Sequence, residues 1–146
     1  MVDLVKFQSH VKNKSPAFVP LFQNKLRYEI PWGGAGSGKS HIVARKLLYR
    51  MLNESDVKHN FLIIRKVDRT IKKSVWTLMK NIISIWGLTN QFQFNQTDRT
   101  MIWKFNGAQF MFSGLDDVEK LKSIEGVTSI WVEEATELNQ EDFEQL

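Results

Sequence analysis

The stretch GGAGSGKS at 33–40 constrains this chain more than any other feature. It fits G-x-x-x-x-G-K-[ST], with Lys39 and Ser40 closing the pattern. Just before it, RYEIPW at 27–32 reads as a short strand running into the glycines. Just after it, HIVARKLLYRML places Ile42, Leu47, Leu48 and Met51 at helical spacing. A strand, a tight glycine turn and a helix in succession form the context in which this pattern holds phosphate. Glycines let the backbone curl until successive N–H groups face one anion, and the dipole of the following helix adds to the attraction.

The candidate phosphate cradle is therefore Gly33, Gly34, Ala35, Gly36, Ser37 and Gly38. Lys39 is expected to bridge the β- and γ-phosphates of ATP, and Ser40 to place its hydroxyl on Mg²⁺. Such a loop needs an acidic partner at the end of another parallel strand, and IWVEE at 130–134 supplies one. Glu133 is assigned to the Mg²⁺ shell through water, and Glu134 to orienting and deprotonating the attacking water. The usual metal carboxylate is Asp, so the extra methylene of Glu133 alters the metal-shell geometry or blurs the division of roles. The plain alternative is a strand running into an acidic helix cap. A GTPase is disfavoured, because the chain has no Asn-Lys-x-Asp and Glu133-Glu134-Ala135-Thr136 lacks the glycine of an Asp-x-x-Gly switch.

The rest of the chain continues the alternation. HNFLIIRKV at 59–67 is an apolar strand, and the following segment lines Ile71, Val75, Leu78, Met79, Ile82, Ile83 and Trp86 along one helical stripe that stops at Gly87. Residues 92–113 read as antiparallel strands turning at Asn106-Gly107. That turn would pair Phe105 with Ala108, Trp103 with Phe110, and Met101 with Phe112, an apolar face suited to a core rather than to base stacking. An acidic loop or short helix, the strand at 127–132 and a short helix from about 139 complete the order. The fold class is α/β, a P-loop NTPase layered fold with a mostly parallel central sheet and an antiparallel hairpin insertion. Residues 1–26 form a lead-in of a short helix and irregular chain, and 27–146 the P-loop domain.

Charge and composition narrow the setting. The chain has no cysteine, and His10, His41 and His59 lack ligand spacing, so disulfides and thiolate zinc sites are excluded. No apolar run is long enough for secretion or membrane spanning, and a cytoplasmic location without membrane partners is expected. Residues 1–112 carry 18 Lys/Arg against 6 Asp/Glu, whereas 113–146 carry 2 against 10. The basic body either attracts a polyanion or is an ordinary solvated surface. Within it, Arg65, Lys66, Arg69, Lys72 and Lys73 either track a DNA backbone, sense a γ-phosphate or line a solvated helix face. Asp116 and Asp117 read as turn residues, not metal ligands.

In order and spacing, YEIPWGGAGSGKSH, FLIIRKVDRTIKKSVW, FMFSGLDDVEKLKSIEG and IWVEEATEL resemble the ATPase part of the large terminase subunit of tailed phages. LKSIEG followed by SIWVEEA is the more specific part, and the resemblance covers roughly 20–146. It implies an ATP-driven motor that moves double-stranded DNA into a procapsid. The implied partners are that DNA, a small terminase subunit and a portal protein, with a homo-oligomeric ring for the full-length subunit. It also implies that Gln23 contacts adenine. A basic residue at the place of Lys120 or Lys122 would reach a neighbouring subunit's ATP, a role in which lysine lacks the planar fork of the usual arginine. The fold becomes the additional-strand type, in which a later strand with a coupling motif enters between the P-loop strand and the acidic strand. That strand and the nuclease domain do not occur in this sequence. The expectation is an N-terminal fragment that binds ATP weakly, if at all, and does not package DNA alone. Other readings are a helicase-like P-loop ATPase, a small-molecule kinase, or an inactive remnant of a terminase gene.

Overall fold

The computed structural model describes residues 19–24, 26–116, 121, 124–144 and 146, with Val19, Gln23, Thr70, Lys72 and Lys73 described by backbone alone. The chain divides into two compact units, Met1–Asn53 and Glu54–Leu146.

In the first unit, α1 is Val19–Gln23 and α2 is Lys39–Asn53. The spacing of Ile42, Ala44, Leu47, Leu48 and Met51 makes the buried stripe of α2. Phe22 of α1 meets Tyr49 of α2 edge to face, ring centroids 6.0 Å apart. Lys46 of α2, only 7% exposed, donates to the Asn24 carbonyl at 2.9 Å and to both Glu29 carboxylate oxygens at 2.5 Å. A buried ammonium requires such partners, and here they tie the 24–29 segment to the helix. The strand expected over 27–32 does not form. A strand exists through its ladder, and among the described residues nothing pairs with this stretch. Its alternation survives in the side chains: Tyr28, Ile30 and Trp32 are 76%, 84% and 86% exposed, while Glu29 between them turns to Lys46.

The second unit is built on one five-stranded sheet. Its strands are β1 (Asn60–Arg65), β2 (Phe92–Asn95), β3 (Thr100–Trp103), β4 (Gln109–Gly114) and β5 (Ser129–Val132), in the order β2-β3-β4-β1-β5. The β1–β4 and β1–β5 ladders are parallel; the β2–β3 and β3–β4 ladders are antiparallel. The sheet described is thus evenly mixed rather than mostly parallel, because β4 serves both as a hairpin arm and as a parallel neighbour of β1.

β1 is buried on both faces, which explains its unbroken apolar run FLII. On one face Phe61 stacks near Phe110 at 5.5 Å, Phe110 near Phe92 at 6.4 Å, and Trp76 meets Phe112 edge to face at 5.1 Å. Trp76 belongs to the helical run that covers this face, α3 (Asp68–Ile71), a π-helical turn (Lys72–Trp76) and α4 (Thr77–Ile85). The π turn adds a residue to the period and brings Trp76 into the core, where a 3.6-residue stripe through Val75 and Met79 leaves it out. The run ends as Leu88 N–H donates to the Ile83 carbonyl and Gly87 N–H to that of Ser84, a Schellman closure at the glycine expected as its stop. On the other face Leu62, Ile64, Met111 and Leu115 pack with Leu121, Ile124, Val127 and Leu138.

The β3–β4 hairpin differs from expectation in register. Met101 pairs with Phe110, not Phe112, and the loop runs through 104–107. Asn106 is occupied elsewhere: its Nδ2 donates to the Ser55 and Val57 carbonyls at 3.0 and 3.1 Å, while its Oδ1 accepts from Ala108 N–H. Anchoring the 55–57 loop outweighs closing a two-residue turn. A shift of two residues keeps the faces, so Met101, Trp103, Ala108, Phe110 and Phe112 stay buried, while Phe105 moves out to 72% exposure.

Candidate nucleotide and acidic sites

The glycine loop of the first unit leads directly into α2, whose first residue is Lys39 and whose first turn carries no acidic side chain. Gly36 and Gly38 adopt φ of 74° and 90°, a region that side-chain-bearing residues rarely enter. Gly34 has no such conformation, and a Cβ placed on it or on Gly36 would meet nothing within 4 Å. Among the described residues no contact requires the absence of a side chain at Gly34. Bare backbone facing open space fits a ligand that closes directly on the N–H groups. Gly33 is closer to the turn, since a Cβ there would lie 3.0 Å from Ser37 Oγ.

Lys39 folds its ammonium over this loop. Nζ donates to the Gly33 carbonyl at 2.6 Å, the Gly34 carbonyl at 2.9 Å and Ser37 Oγ at 3.4 Å. Ser37 N–H donates to the Gly34 carbonyl at 3.3 Å, and Ile42 N–H to the Gly38 carbonyl at 3.0 Å as the helix takes over. The loop is thus shaped by its own backbone and by the lysine assigned to phosphate, whose ammonium is the cationic donor that an anion would meet. Ala35 lies exposed at its tip and Ser40 is the second residue of α2. Gln23 is the last residue of α1, and its side chain lies outside the described residues, as do Lys120 and Lys122.

The acidic half lies at the end of β5 in the second unit. Glu133 continues the ladder, its N–H donating to the Ile64 carbonyl at 2.8 Å, and it is buried at 8% exposure. Glu134 follows with φ 57° and ψ 48°, left-handed backbone in a non-glycine residue, and is exposed. Such conformations cost of order 1–3 kcal/mol and gather at functional turns. The Glu134 carbonyl accepts from Glu137 N–H at 2.9 Å, opening the short 3₁₀ turn Ala135–Glu137. Two adjacent carboxylates therefore part company, one buried and one presented to solvent.

The basic cluster after β1 is not the uniform solvated face entertained above. Arg65 Nε lies 3.5 Å from Glu133 Oε2, and its Nη2 3.6 Å from Glu137 Oε1. Lys66 Nζ lies 3.1 Å from Asp142 Oδ2. Arg69 is exposed, and the Lys72 and Lys73 side chains lie outside the described residues. Part of the opposition between basic body and acidic tail is thus satisfied inside the second unit. Asp142 also accepts from Asn139 N–H while its own N–H donates to Asn139 Oδ1, both at 2.9 Å, a reciprocal cap on α5 (Gln140–Glu144). The Asn139 N–H, with burial opposing it next and the Lys66 ammonium then adding to it, holds the Asp142 carboxyl below its ordinary range.

Asp116 is a structural cap: its Oδ1 accepts from Asp68 N–H at 2.9 Å, and Asp68 Oδ1 accepts from Gly114 N–H at 3.1 Å and from Arg99. Asp117 lies outside the described residues. Among the described residues no group of three or more His, Cys, Asp or Glu side chains is placed to hold a metal alone. No helix among them is long and apolar enough to cross a membrane.

Comparison with known proteins agrees with the motif order. The family described as phage terminase large subunit matches residues 25–146. The PBSX phage terminase large subunit of Bacillus subtilis (strain 168) is 34% identical over 137 residues, 93% of this chain and 31% of that protein. The large terminase subunit of Bacillus phage SPP1 is 30% identical over 121 residues, 80% of this chain and 28% of that protein. The chain spans less than a third of the length of these curated relatives. By the extent of these matches, the chain belongs to the phage terminase large-subunit family.

Proposed function

We propose that this chain is the nucleotide-binding part of an ATP-driven motor that packages double-stranded DNA, folded as a P-loop layer of the additional-strand type. The observation that carries the reading is the glycine loop of the first unit, wrapped around the Lys39 ammonium at the head of α2 with open space over Gly34 and Gly36. Family membership makes the nucleotide of a packaging motor the natural ligand for it.

In this reading the loop N–H groups receive the β- and γ-phosphates of ATP. Lys39 exchanges its carbonyl partners for phosphate oxygens, a stronger, charge-assisted pairing. Mg²⁺, when bound, neutralises charge on those oxygens. Ser40 and Glu133 are the residues that would hold it, Glu133 through water. Glu134, exposed and held by the turn, orients the attacking water and takes its proton. The work extracted belongs to the full-length subunit, acting as a ring in the host cytoplasm with a small terminase subunit and a portal protein.

The test is ATP turnover by the full-length subunit that carries this segment, with and without linear duplex DNA. Stimulation by DNA that disappears in both Lys39→Ala and Glu134→Gln supports the motor. Turnover indifferent to DNA, but accelerated by a small phosphate acceptor, would point to a kinase.

A further inference from the structure

Parallel pairing of β1 with β5 sets Ile63 opposite Trp131, and two residues further along the same face the register brings Arg65 to Glu133. The register alone would bring them near. What it does not require is that Arg65 also reach Glu137, so that one guanidinium spans the two ends of the turn displaying Glu134. The arginine side chain is 19% exposed and that of Glu133 10%, so this half of the pairing is shielded from solvent and little screened by salt, whereas the Glu137 side chain is 44% exposed and its half is weaker. Arginine suits this task because its planar fork offers separate nitrogens to separate carboxylates.

We propose that Arg65 is a positioning residue for the acidic site: it braces the 133–137 turn by holding both glutamates, and it competes with a divalent cation for Glu133. The competition clause rests on the reading of Glu133 as a metal-side carboxylate; the bracing clause does not. A cation approaching Glu133, directly or through water, would meet a resident positive charge that opposes it. Where it draws Glu133 away from Arg65, the brace on the Glu134 turn would loosen with it.

Two measurements on the whole chain test this. In amide hydrogen exchange, Arg65→Gln should speed exchange at Glu137 and Leu138, whose N–H groups close the turn, by roughly tenfold. The β2–β3 hairpin should keep wild-type rates, and Arg65→Lys should fall between. Unchanged exchange in the turn, or equal acceleration throughout the second unit, would overturn the brace. With Mn²⁺ alone as the probe, followed by electron paramagnetic resonance, Arg65→Gln should bind about threefold or more tightly than wild type, because a competitor and a like charge are gone. That gain should vanish when Glu133→Gln is added. Equal or weaker binding in Arg65→Gln would overturn the competition. Failure of the nucleotide reading has a different signature, equal ATP affinity of wild type and Lys39→Ala, and it leaves the exchange result decisive.

Discussion

Two glycines in two parts of the molecule are glycine for opposite reasons. At Gly114, where β4 ends, a Cβ would lie 2.2 Å from Asp116 Oδ1 and 2.5 Å from Asp68 Cα, so the folded chain itself excludes a side chain. At Gly34 a Cβ would meet nothing within 4 Å among the described residues, so their packing does not exclude a side chain. The first glycine belongs to packing; on the proposed reading the second belongs to a ligand that approaches the loop from outside. The same contrast runs through the two sites. The acidic turn is held by partners distant in sequence, Arg65 and the β1 ladder, whereas the glycine loop is held by its own carbonyls and one lysine.

Substitutions can break this contrast or sharpen it. The largest effect belongs to the aromatic core: Phe110→Ala should destabilise the second unit by about 3–5 kcal/mol in urea unfolding. A cost under 1 kcal/mol would mean that the stacked Phe61–Phe110–Phe92 face is not the core. Gly114→Ala should cost about 3 kcal/mol, since backbone at Asp68 must move. Gly34→Ala should change stability by less than about 0.5 kcal/mol and yet weaken nucleotide binding, which calorimetry reads separately. If both glycine variants cost the same stability, the distinction drawn here fails.

Asp68→Ala comes next, at about 2 kcal/mol, because it strips the acceptor from Gly114 N–H and from Arg99 together. The smallest effect is a pH dependence. The lowered Asp142 carboxyl contributes stability that is fully present above the ordinary aspartate value of about 3.9 and is lost as pH falls through its own lower value. Nuclear magnetic resonance should show Asp142 titrating below that ordinary value, with α5 fraying as it protonates. A midpoint at or above it would contradict the reciprocal cap with Asn139.

Legibility from sequence followed the range of the forces involved. The glycine loop, α2, β1 and the helical run to Gly87 were readable because each depends on local spacing and on residues with special backbone demands. The register of the β3–β4 hairpin was not, since it turns on Asn106 serving carbonyls at Ser55 and Val57, far back in the chain. The strand expected over 27–32 has the alternation of a strand, but a ladder partner is not a property of the stretch itself. The π turn shifted the helix period by one residue, enough to conceal Trp76 as a core side chain. Among candidate site residues, Glu133 and Glu134 stood out as acids ending a strand, but their division into buried and exposed became visible only through the left-handed backbone at Glu134. In the sequence Arg65 is merely one of five basic residues. The signal that singles it out is its place at the end of β1 and the register that carries it to Glu133, which a single strand read alone does not contain.

The central claim is that the loop at 33–40 holds the phosphates of ATP through Lys39. Isothermal titration of ATP with Mg²⁺ into the whole chain and into Lys39→Ala measures this directly. The account predicts weak binding by the wild type and a loss of at least about tenfold in affinity for the variant, the scale of one charge-assisted hydrogen bond. Equal binding by the two proteins would contradict it.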